Sequence, residues 1–147
     1  MTGTVTTRSH RAPVGRLPSS PVASAFALAA TAILLALAGL QAQLAVGRPL
    51  GRFAWGGAHE VLPPRLRIAS TISIALYGAI ALVLLDAADV VDALPGRWTG
   101  TAAWVLAGYF VLGVAMNGAS RSRDERRTMT PVALALCLLC VAVAVGA

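Results

Sequence analysis

The side chains with the most reactive chemistry in this chain are two cysteines near its C-terminal end. Cys137-Leu138-Leu139-Cys140 is a C-x-x-C, and on a helix that spacing puts both sulfurs on one face. A thiol- or quinone-linked membrane oxidoreductase could use such a pair. Thiol exchange needs a thiolate with access, and a partner pair to pass electrons on. Cys137 lies about 9 Å along a helix from Pro131 at 1.5 Å per residue, and the sequence holds no second pair. The pair therefore reads first as small packing residues, with redox chemistry as the alternative.

Other chemistry is thinner. His59-Glu60 opens like a zinc-protease motif, but Pro63 stands where the second His belongs, and His10 is the only other imidazole. A zinc site needs three or four ligands, so no metal is assigned. Gly56-Gly57 is followed by Ala58-His59-Glu60, not by the Lys-Ser of a phosphate loop. No Ser-His-Asp set stands out. No catalytic residue and no cofactor follow from the sequence. Small proton-coupled exporters carry an acid at mid-membrane, whereas here every Asp and Glu falls in a loop or at a helix end. Transport is the third reading.

The elements that must position these residues are plain. The chain has 147 residues, is 57% hydrophobic, and has a mean hydropathy of +0.74. Four apolar stretches run over about 22–46, 66–86, 98–118 and 130–147. A helix needs about 20 apolar residues to cross a bilayer, and a backbone in lipid must satisfy its own hydrogen bonds. The expectation is an all-α, four-helix transmembrane bundle over residues 21–147, behind a disordered tail at 1–20 rich in Thr, Ser, Pro and Arg. Ala36-Leu37-Ala38 resembles a signal-peptidase site. The apolar run before loop 1 is too long for a signal peptide, so the first helix is expected to be retained.

The net charge is +6, and every basic residue is Arg. Absent Lys, with abundant Ala, Gly and Val, reads as the codon bias of a GC-rich bacterial genome, which places the protein in a bacterial plasma membrane. The Arg residues flank apolar spans, which argues for topology and lipid headgroups and against nucleic acid. Arg48, Arg52, Arg65, Arg67, Arg121, Arg123, Arg126 and Arg127 belong to loops 1 and 3 and their flanks. Arg8, Arg11, Arg16 and Arg97 belong to the other side. The positive-inside rule then puts loops 1 and 3 in the cytoplasm.

Ser20-Pro21 and Thr130-Pro131 each look like a helix start, with a capping hydroxyl and Pro at the first helical position. Small residues stripe the first span at Ala25, Ala29, Ala32, Ala36, Gly39 and Gln43. The last span carries Ala133, Cys137, Cys140, Ala144 and Ala147. Helices in lipid pack through such residues, so both stripes are expected to face inward. Arg67, Ser70, Ser73 and Tyr77 share a face of the second span, and Tyr109, Gly113 and Asn117 a face of the third.

In a four-span bundle these polar residues meet at one membrane boundary with loops 1 and 3. The candidate binding residues are Gln43, Trp55, His59, Glu60, Arg67, Ser70, Asn117, Arg121 and Arg123. Arg67 is expected as the buried contact, with Asn117 and His59 as donors. The expected partners are membrane lipids, an anionic headgroup above all, with a protein partner or a second copy of the chain as further ones.

Trp55-Gly56-Gly57-Ala58-His59, Val61-Leu62-Pro63, Leu66-Arg67-Ile68-Ala69-Ser70, Ser120-Arg121-Ser122 and Met129-Thr130-Pro131-Val132 resemble a family of small, uncharacterised four-span bacterial membrane proteins. The resemblance runs from the first span onward. It implies the fold and the membrane address, and carries no activity. A Pro-Trp-Gly of that family is Pro49-Leu50-Gly51 here.

Overall fold

The computed structural model describes residues 20–95 and 98–147. Among them are four long helices: α1 (Pro21–Ala45), α2 (Pro64–Ala87), α3 (Thr99–Gly118) and α4 (Arg123–Gly146). All four are long and apolar enough to cross a membrane, with 18-residue windows of mean hydropathy between 1.5 and 2.4. The chain is a multi-pass, four-helix membrane bundle. The tail expected to be disordered lies, apart from Ser20, outside the described residues, as does Arg97.

Pro21 stands at the start of α1, and the Ser20 hydroxyl accepts from the Ala23 N–H at 3.2 Å. The sequence-derived start of the first helix is therefore the observed one. α1 and α2 form one antiparallel hairpin and α3 and α4 the other, joined mainly through α1 and α4, while α2 and α3 meet only sparsely. The core is made of small residues and a few large ones: Ala23, Ala27, Ala30 and Leu34 against Leu84, Ala103, Ala107, Leu136, Cys140 and Val143. The alanines allow the close approach that substitutes for a hydrophobic drive between helices in lipid. Gly146 packs on Ala23 so closely that a Cβ there would lie 2.8 Å from the Ala23 methyl.

Two expectations are corrected. The stripe Ala25, Ala29, Ala32, Ala36, Gly39 and Gln43 is exposed. The buried face of α1 is Ala23, Ala27, Ala30, Leu34, Gln41 and Leu44. Both faces carry small residues, but only the second also brings the large Leu34 and Leu44 side chains that fill space between helices. α4 starts at Arg123 instead of about 130. The Ser122 hydroxyl accepts from Glu125 N–H at 3.3 Å, so Ser122-x-x-Glu125 is the N-terminal signal. Pro131 consequently stands inside the helix, and loop 3 shrinks to the residues between Gly118 and Arg123. The last-span stripe does face inward at Ala133, Cys137 and Cys140, which are buried.

Asp86, expected in loop 2, is in the last turn of α2 and fully buried. Its Oδ1 accepts from the N–H groups of Ala93 at 2.9 Å and Leu94 at 3.0 Å, folding loop 2 back on the helix end.

Candidate functional site

Loop 1 (46–63) is an ordered cover over one end of the bundle. α1 ends in a Schellman motif: Gly47 has φ +86°, its N–H bonds Leu44 O at 3.1 Å, and Arg48 N–H bonds Gln43 O at 3.0 Å. This conformation is open to glycine at no steric cost. Arg67 then donates from Nε to Ala45 O at 2.7 Å, with its guanidinium against Gly47. A cation at the carbonyl end of a helix is favourable. Two short 3-10 turns follow, Gly51–Phe53 and Trp55–Gly57. Gly51 N–H closes the loop on Glu60 O at 3.0 Å.

Trp55, Gly56 and Gly57 are three successive left-handed residues, with φ of +56°, +80° and +67°. For a bulky residue such as Trp this backbone is strained, by about 1–3 kcal/mol, and it is held from several sides. Trp55 Nε1 donates to Ser70 Oγ of α2 at 3.2 Å. Gly56 N–H donates to the Glu125 carboxylate of α4 at 2.9 Å. That carboxylate also accepts from the Ser120 hydroxyl, and Ser122 donates to Arg52 O. Gly57 sits so close to Ser122 that a Cβ there would overlap its side chain. The exposed Arg52–Asp124 pair, at 3.7 Å, adds little.

Beneath this cover lies a cavity of about 270 Å³. Its roof is Phe53, Ala54 and Trp55, and its walls come from all four helices. Leu37, Leu40, Phe110, Val132 and Leu136 make it mainly apolar. Tyr109, Leu112 and Met116 of α3 line it and are among the exposed large apolar residues. α2 and α3, which both contribute to the lining, meet only sparsely. At the loop end the lining includes Asn117 and Glu125, and deeper in it includes Ser73, Tyr77 and Gln41. Tyr77 reaches this level because helical side chains lean toward the N-terminus, here toward loop 1. Gln41 is 8% exposed, and its Oε1 has no hydrogen-bond partner among the described residues.

Of the expected binding residues, Trp55 and Asn117 line the cavity. Ser70 is buried and holds Trp55. Arg67 is half-buried and caps α1. Gln43, His59, Glu60, Arg121 and Arg123 are exposed and stand outside the lining. Sequence reasoning missed Gln41 and Glu125. A capping-box reading of Ser122-x-x-Glu125 would have found the second. Cys137 and Cys140 are buried free thiols, and Cys137 Sγ lies 3.6 Å from Ala107 O of α3. Both pack between helices, as expected. No group of three or more His, Cys, Asp or Glu among the described residues could hold a metal ion. No family model, no curated protein and no solved structure matches this chain.

Proposed function

We propose that this protein is a non-enzymatic, lipid-binding membrane bundle of a bacterial plasma membrane, and that lipid enters the cavity below loop 1 through the α2–α3 seam. The observation that supports this reading is the cavity itself: mainly apolar walls drawn from all four spans, a few polar groups among them, and an ordered cover formed by loop 1. Amphiphile sites combine mostly apolar walls with a few placed polar groups. The exposed Arg121, Arg123, Arg126 and Arg127 beside the cover would hold the surrounding anionic leaflet, at about 1 kcal/mol per Arg near the surface.

Gly113→Leu tests it. Gly113 lines the cavity, and a Cβ there meets only the Ala133 methyl at 3.7 Å, so a Leu would project into the space. Replacing Gly by Leu in a helix also favours the helix. The purified variant is expected to stay folded and to retain at least fivefold less co-purified lipid in native mass spectrometry. Equal lipid retention by variant and wild type would overturn the cavity as the binding site.

A further inference from the structure

The charge of the cavity lining is the reverse of the charge of the chain. The protein carries a net +6, yet no Arg or His is among the described lining residues, and their one acid is Glu125. Glu125 is 7% exposed. Its two donors, Gly56 N–H and the Ser120 hydroxyl, both end on Oε2. Oε1 accepts no hydrogen bond from a described residue, and it keeps accessible surface. No described Arg pairs with this carboxylate: Arg52 turns to Asp124, and Arg126 to Ser120 O. Buried charges are ordinarily paired. The first turn of α4 offsets part of the charge, and an occupant can offset the rest. An anionic headgroup would meet the carboxylate with no cation between them.

The rings point the same way. Five of the chain's eight aromatic side chains line the cavity: Phe53, Trp55, Tyr77, Tyr109 and Phe110. An aromatic face carries negative potential that an aliphatic one lacks, and it attracts a cation. Phe53 already does so, with the Arg52 guanidinium 4.7 Å from its ring centre. Trp55 is the other ring of the roof, and the residue after it is the Gly56 that bonds Glu125. Acid and free ring therefore stand together at the loop end. At about 270 Å³ the space lies just below the range of sites that enclose whole small molecules, roughly 300–1,000 Å³. It suits a compact charged end and the first part of an apolar body.

We propose that the cavity binds the ammonium end of a hydrophobic cation, with Glu125 as its counter-ion and the Trp55 ring against its charge. The proposal rests on the reading of the cavity as a lipid site and specifies the charge of the occupant's polar end. A lipid headgroup and a free hydrophobic amine are the two sources of that charge.

The test is native mass spectrometry of the full chain in a non-ionic detergent. Three probes with one chain are offered separately: hexadecyltrimethylammonium, hexadecanol and hexadecyl phosphate. The cation is expected to be retained about tenfold better than the alcohol or the phosphate, a factor equal to about 1.4 kcal/mol. Glu125→Gln removes the charge and keeps an acceptor oxygen for Gly56, and its cation and alcohol should be held alike. Gly113→Leu, which fills the cavity, should lower retention of both. A second pair, phosphatidylethanolamine and its N-acetylated form, separates the sources. A Glu125-dependent preference for the free amine would support the proposal and name a lipid headgroup. Equal retention of that pair, with hexadecyltrimethylammonium still favoured, would support it and name a free cation. Equal retention of hexadecyltrimethylammonium and hexadecanol by wild type would overturn the proposal and leave lipid binding standing, as would a preference for the phosphate. A cation preference undiminished in Glu125→Gln or in Gly113→Leu would place the attraction elsewhere and also overturn it. Retention of no probe would overturn both readings. If Glu125→Gln fails to fold, the wild-type ranking and Gly113→Leu decide.

Discussion

Glu125 does three jobs with one residue. Its N–H completes the cap of α4, and its carboxylate fixes both Gly56 of loop 1 and Ser120 before the helix. In an ordinary capping box that carboxylate would bond the N-cap's own N–H, but Ser122 N–H turns to Ser120 Oγ instead. Removing the acceptor leaves two partly exposed donors without it, so Glu125→Ala is expected to destabilise the cover by about 1 kcal/mol. The measurement is amide exchange at Gly56, which should quicken in Glu125→Ala and stay slow in Glu125→Gln, where an acceptor oxygen remains. Unchanged exchange in the Ala variant would show that loop 1 holds without this bond. At this scale the sequence was only partly readable. Gln41 and Gln43 differ by two positions, about 200° around a helix, and α1 has small residues on both sides. Nothing local tells which amide faces inward, because the choice is made by Leu34 and Leu44 filling the bundle.

At the scale of elements, α4 is the clearest lesson. Hydropathy marks where a span becomes apolar, whereas a helix begins where its first N–H groups find a cap. The two differ here because the first residues of α4, Arg123 to Arg127, are all charged. Thr130-Pro131 imitated a start because Pro is welcome at a first helical position. Inside a helix the same Pro removes one backbone hydrogen bond, and a bundle tolerates it when neighbours supply the rest. Pro131→Ala is therefore expected to raise stability, by up to about 3 kcal/mol, in unfolding from mixed micelles. A neutral or destabilising result would fit a helix that starts at 131. The Cys pair was readable at this scale, since its inward stripe also carries Ala133.

For the whole molecule, the four spans were legible from composition alone, because the bilayer sets their length and forbids unpaired backbone. The cavity was not legible, since it arises from the loose meeting of α2 and α3 and from a loop whose left-handed turn is held by residues far along the chain. Orientation has its own test. With loops 1 and 3 cytoplasmic, a cysteine placed at the exposed Ala119, in the short link before α4, should resist an impermeant thiol reagent in intact cells and react after lysis. The buried Cys137 and Cys140 leave the background low. Labelling in intact cells would reverse the assignment. The bond from Gly56 to Glu125 joins residues 69 apart, and that separation matters during synthesis. A chain emerges from its N-terminal end, so the first hairpin reaches the membrane while the acceptor for loop 1 does not yet exist. Until the last span arrives, Gly56 N–H and the Arg52 carbonyl have no docking site. A truncated or stalled chain thus displays an unlatched loop at the membrane surface, a mark by which a protease could tell an unfinished bundle from a completed one.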